Sequence, residues 1–165
     1  MDDVTGQTKA LLIGGGIAIT AALAFVLRRY ALTSHGENPW NLDALLNVLG
    51  HRAEFEKARA KINGTFNSVF RSPQLNEKLK DLGYAASATS LHMKGLATDI
   101  SPGKGITPQK AAEEIYADAK AGKLGDVYEV IWEPTWVHVG WRGKEKAPGK
   151  INYLKKTDDG YKALA

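Results

Sequence analysis

A chain of 165 residues without one cysteine forms no disulfide, no thiolate metal site and no thiol nucleophile. Any metal it holds tightly must rest on nitrogen and oxygen ligands. The length suits one domain of ordinary size with attachments, and the net charge of +4 suits an anionic surface (cell wall, membrane or nucleic acid) about as well as a solvated surface with no partner.

The first attachment is N-terminal. After a tail at residues 1–9, every residue from Ala10 to Leu27 is apolar or glycine except Thr20. That run is near the roughly 17–25 residues of a membrane-spanning helix. Lys9 on one side and Arg28-Arg29 on the other are placed to snorkel to the headgroups. Residues 10–29 are therefore expected to form a transmembrane helix, which would make the membrane a partner. A signal peptide and a buried soluble helix are the competing readings. Against the signal peptide stand Asp2 and Asp3, the length of the apolar run and the lack of an A-x-A-like site after it. The arginine pair outweighs Lys9, which by the positive-inside rule would leave the rest of the chain in the cytoplasm.

Residues 30–40 are polar, contain His35, Gly36 and Pro39, and read as a linker. Leu42, Leu45, Leu46 and Leu49 then recur at helical spacing after a possible N-cap at Asn41, and Gly50 ends the run. A second, more charged helix spans His51 to Ile62, with Phe55, Ala58 and Ile62 on one face and Asn63-Gly64 closing it. His35 and His51 carry no motif and read as solvated residues. Thr65 to Phe70 alternates as a short strand, stopped by Arg71-Ser72-Pro73. Ser72 before Pro73 starts a helix from Gln74 to Leu82, and Gly83 caps it.

Leu96 to Ile100 is a short strand, with Ala97 and Asp99 on one face. Thr107-Pro108 opens a helix that runs through Ala121 and ends at Gly122. Tyr128–Trp132 and Trp136–Trp141 are strands joined by a hairpin turn at Glu133-Pro134-Thr135. Trp136, His138 and Gly140 share one face of the second strand, and Val137, Val139 and Trp141 the other. After Gly143 the chain is lysine-rich with weak periodicity, so residues 144–165 read as a C-terminal extension. The expected fold class is α+β: a small, mainly antiparallel sheet flanked by helices, filling residues 41–143, with functional residues at strand ends.

Two imidazoles and a carboxylate stand out. His92 and Asp99 lie seven residues apart, separated by Gly95 and small residues, and His138 follows in the last strand. Two histidines and an aspartate make a plausible set of three zinc ligands. Three rather than four leaves a position open for water, the mark of a catalytic rather than a structural site. The flanking small residues let another group approach closely.

At these residues the chain resembles a known family. Ser90-x-His92-x-x-Gly95-x-Ala97-x-Asp99-Ile100, followed by Trp136-Val137-His138-Val139, resembles the M15 group of zinc peptidases, which includes D-alanyl-D-alanine carboxypeptidases and phage-type L-alanyl-D-glutamate endopeptidases. Phe70-Arg71-Ser72-Pro73-x-Leu75-Asn76 resembles the segment that precedes the metal motif there. The likeness runs from about Leu42 to about Arg142.

The resemblance implies Zn2+ held by His92, Asp99 and His138. It implies that Arg71 binds the substrate and steadies the oxyanion, and that Ser90 lines the site or orients His92. Many family members carry an acid three positions before the last histidine. Here Thr135 stands there, so Glu133 is expected as the general base, with Glu129 in reserve. The implied substrate is the peptide stem of peptidoglycan, with no nucleic-acid partner. A membrane-tethered hydrolase of that kind would open or remodel the wall from a periplasm or from the membrane of a virus particle, phage lysis included. The missing acid at position 135 leaves a second reading: a module of the same fold that binds zinc and cell wall with little catalysis.

Overall fold

The structure is a computed structural model that describes residues 42–84, 86–143 and 149–165. The expected N-terminal tail, transmembrane helix at 10–29 and linker at 30–40 lie outside the described residues. Among the described residues no helix is long and apolar enough to cross a membrane.

Helix α1 spans Leu42–Gly50 and α2 spans Arg52–Lys61. Strand β1 is Thr65–Ser68, and α3 follows at Pro73–Asp81. A single 3-10 turn, Leu91–Lys94, leads into β2 at Ala97–Ser101. Helix α4 is Pro108–Lys120, followed by β3 at Val127–Trp132 and β4 at Val137–Trp141. Strands β5, Asn152–Thr157, and β6, Gly160–Ala163, complete the order. The class is α+β, as expected.

The two proline-led helices start where local chemistry dictates. Ser72 Oγ accepts from the Leu75 N–H at 3.1 Å, and Thr107 Oγ1 accepts from the Lys110 N–H at 3.2 Å. In each case proline follows the cap, where its missing N–H costs nothing. Helix α1 departs from the expected stripe. Ala44 and Val48 are buried, Leu45 and Leu49 pack partly on the core, and Leu46 is 54% exposed. Gly95 packs directly on this helix: at φ 66 its backbone lies against the Ala44 carbonyl, where any Cβ would collide.

The six strands form one sheet in the order β1-β2-β4-β3-β5-β6. Every neighbouring pair is antiparallel except β3 and β5. The extension expected beyond Gly143 is thus corrected: residues 152–163 are two strands of the same sheet. Tyr153 enters the main core, while Lys155, Lys156 and Lys162 lie on or next to the edge strand, where charge discourages pairing with other chains.

One face of the sheet is packed dry. Ile100, Val130, Val137, Val139 and Trp141 meet Phe55 and Ala58 of α2 and Ala111, Ala112 and Ile115 of α4. Trp141 is held further by its indole N–H donating to the Leu124 carbonyl at 2.8 Å. The opposite face holds Asp99, Glu129, Ile131 and His138, the floor of a cleft of about 800 Å³. The expectation of functional residues at strand ends is corrected here. Asp99 sits in the middle of β2, and His92 sits on the 3-10 turn laid over the sheet face.

Candidate metal centre

Asp99 and His138 are direct partners in the antiparallel register of β2 and β4. Opposed residues point to the same face, so folding alone brings the carboxylate to the imidazole. His92 arrives from above. Ser90 Oγ accepts from the His92 N–H at 3.3 Å, the Arg71 N–H donates to the His92 carbonyl at 3.2 Å, and Gly95 closes the turn in the left-handed region. Ser90 also lines the cleft.

Three atoms converge. His92 Nε2 is 3.1 Å from Asp99 Oδ1, His138 Nδ1 is 2.8 Å from the same oxygen, and the two nitrogens are 3.2 Å apart. Tetrahedral zinc with bonds of about 2.0–2.1 Å sets its ligand atoms about 3.3–3.4 Å apart. The observed separations are a little shorter than that edge. The residues are also sunk: His92 is 2% and Asp99 8% exposed. Among the described residues these three are the group of histidines and acids able to hold a metal ion.

Each imidazole is oriented by its other nitrogen. His92 Nδ1–H donates to the Val69 carbonyl at 3.3 Å, with Ser68 Oγ at 3.4 Å, which leaves Nε2 as the lone-pair atom. His138 Nε2–H donates to Glu129 Oε1 at 3.3 Å, which leaves Nδ1. Both free lone pairs therefore point at Asp99 Oδ1. Lone pairs aimed at one point repel unless a cation stands among them, either a proton or a metal. The donor set and its outer contacts fit a metal ion that takes nitrogen and oxygen ligands.

Glu129 is thus tied to the histidine nitrogen that faces away from the convergence point. Gly140 makes room for it. A Cβ at Gly140 would come 3.0 Å from Glu129 Cγ and 2.6 Å from Leu91 Cδ1. Glu133 is differently placed. Its N–H donates to the Trp136 carbonyl at 3.1 Å, closing the β3–β4 turn. Its Oε1 accepts from the Tyr161 hydroxyl at 3.2 Å. Glu133 is 8% exposed. Burial pushes its carboxyl above the ordinary value, and the Tyr161 hydrogen bond offsets part of that.

Arg71 reaches the other side of the group. Its Nη2 lies 3.7 Å from Asp99 Oδ2, and Nη1 donates to Asn76 Oδ1 at 3.4 Å. It lines the cleft with Tyr84 and Trp136. Tyr161 and Lys156 form the far wall, and sequence reasoning missed both. Asp159-Gly160 before Tyr161 is a hairpin signal that would have found them.

The charges follow from the contacts. Burial lowers the His92 pKa, and Asp99 only partly offsets it. For His138 burial also acts downward, but hydrogen bonds to Asp99 and Glu129 overcome it and push the value up to about 9. Burial alone would raise Asp99; the two imidazoles hold it well below the usual carboxylate range. In the metal-free chain the shared proton therefore belongs to His138. A group with a raised pKa stabilises the fold fully below its unfolded value, near 6.5 for histidine, and that stability is lost as pH rises through about 9. His92 acts oppositely: its lowered pKa costs stability as pH falls below about 6.5. The metal-free chain is expected to melt highest near pH 6.5 and lower on both sides. A Tm that climbs steadily from pH 6 to 9 after chelation would contradict this. A metal ion bound at this group must displace the His138 proton, so metal binding at pH 7 is expected to release close to one proton, read by calorimetry in buffers of different ionisation enthalpy.

No protein-family model matches this chain, and a search of curated proteins returns no match.

Proposed function

We propose that this chain is a zinc metallopeptidase that hydrolyses peptide bonds in the stem of peptidoglycan. One observation carries the metal part of this reading: His92 Nε2, Asp99 Oδ1 and His138 Nδ1 converge in an open cleft, each imidazole held by its far nitrogen. The substrate part rests on the resemblance of the Ser90–Ile100, Trp136–Val139 and Phe70–Asn76 blocks to wall peptidases.

Bound zinc supplies a water of lowered pKa and polarises the scissile carbonyl. Glu133 is the proton carrier in this reading. Tyr161 ties Oε1, so Oε2 is the oxygen left to take a proton and return it to the leaving amine. Its raised pKa brings it nearer to neutrality, where a carboxylate exchanges protons best. Glu129 holds the His138 ring in the tautomer that presents Nδ1. Arg71 offers a planar fork of donors to a substrate carbonyl or carboxylate. A membrane span at residues 10–29 would tether the domain beside the wall, in a periplasm or on the membrane of a virus particle. That placement runs against the charge rule applied to Arg28-Arg29.

The test is metal content and wall-peptide cleavage on the full-length chain, wild type beside His138→Ala. About one zinc per chain is expected, with cleavage that vanishes in the variant. No zinc in the wild type would end the metal reading.

Thr135 favours a second reading, because the family acid is missing from that position. In that case the chain binds zinc and wall without efficient turnover. Wall binding that persists with zinc bound and no cleaved peptide would support it.

A further inference from the structure

The wall of the cleft built by β5 and β6 carries a chemistry of its own. Lys156 and Tyr161 are direct partners in the antiparallel register of these strands, so both side chains leave the sheet on one face. It is the cleft face: Leu154, Lys156 and Tyr161 all line the cavity. The Lys156 ammonium lies 4.9 Å from the centre of the Tyr161 ring. A cation over a ring face is held in place, yet it keeps its three N–H donors for another partner.

Among the described residues no carboxylate pairs with Lys156 within 4.0 Å. The nearby acid, Glu133, gives its Oε1 to the Tyr161 hydroxyl instead. Lys155 shows the contrast. It lies 4.2 Å from the centre of the Trp132 ring, on the face packed against the helices. The cleft thus holds a restrained ammonium on one side of the convergence point and the Arg71 guanidinium on the other. Such a wall repels a basic ligand and gives a neutral carbonyl an ordinary hydrogen bond, whereas a carboxylate gains a stronger one with both partners charged.

We infer that Lys156, steadied by Tyr161, is a carboxylate-binding subsite that fixes an acidic peptide on the Glu133 side of the metal centre. The identity of that peptide as a wall stem rests on the peptidase reading; the subsite itself does not.

The experiment uses two synthetic wall-stem peptides, identical except that the carboxylates are free in one and amidated in the other. Each is titrated into the full-length, zinc-loaded chain by tryptophan fluorescence, and each is assayed for cleavage. Wild type is expected to bind the acid form more tightly. Lys156→Met is expected to cut the acid-over-amide ratio about tenfold, the scale of one charge-assisted hydrogen bond at a half-exposed site. Where turnover is seen, the change falls on KM rather than kcat. Lys156→Arg should keep most of the preference, and Lys156→Gln replaces the methionine variant if that one does not fold. An equal ratio in wild type and variant overturns the subsite, as does a wild type with no preference. A ratio that drops in Kd while neither protein cleaves leaves the subsite standing and removes the peptidase reading.

Discussion

On the peptidase proposal, Glu133→Gln should cost about 10²–10⁴-fold in kcat while the metal stays bound, the range a positioned general base supplies. Glutamine has the same shape and leaves an oxygen in place to accept from the Tyr161 hydroxyl, so the β3–β4 turn is kept. What disappears is an oxygen able to take a proton. Glu133 makes no hydrogen bond to His92, Asp99 or His138, so metal content is not expected to change. Steady-state kinetics on a stem peptide, with zinc measured on the same sample, separates the outcomes. Turnover that survives the substitution would exclude Glu133 as the base and move that role elsewhere on the cleft floor.

Glu129→Ala is expected to fail by another route. Removing the carboxylate strips the His138 Nε2–H of its acceptor, and the ring loses the contact that presents Nδ1. Outer partners of this kind are worth about 10–100-fold in metal affinity. Activity should fall with the zinc and return when zinc is added in excess. Glu129→Gln keeps an oxygen that can accept from Nε2–H and should recover most of the affinity. Competition with a chromogenic chelator gives the zinc Kd of each protein. A normal Kd in Glu129→Ala, with activity lost beyond rescue by zinc, would show that Glu129 acts on the proton rather than on the ring. On that proposal, the two glutamates on one strand and its following turn are told apart by whether added zinc restores activity.

The metal group was legible in the sequence because its chemistry is local. His92 and Asp99 sit in one short block with small residues between them, and His138 sits in an alternating strand whose other face is plainly apolar. The capped helix starts at Ser72 and Thr107 were legible for the same reason. The division of labour between Glu129 and Glu133 was not. It depends on a register shift between Val127 and Glu129 that sets Glu129 opposite Gly140, and no local pattern announces such a shift. Strand β5 was hidden by its pairing. It lies parallel to β3 rather than in a hairpin with β4, and a lone strand of mixed lysine and apolar residues shows too little alternation to identify. The packing of α1 on Gly95, a contact between residues far apart along the chain, was likewise not legible.

That last contact has a mechanical consequence. Helix α1 rests on the turn that carries His92 with no slack. Gly95 lies under the Ala44 carbonyl, Val48 Cγ2 would be 2.8 Å from a Cβ there, and Asn47 Nδ2 donates to the Lys94 carbonyl at 2.9 Å. Close-packed joints transmit displacement rather than absorb it. A displacement of α1 would therefore arrive first at the backbone that sets the His92 ring, and strain on that helix would be felt at the candidate metal centre.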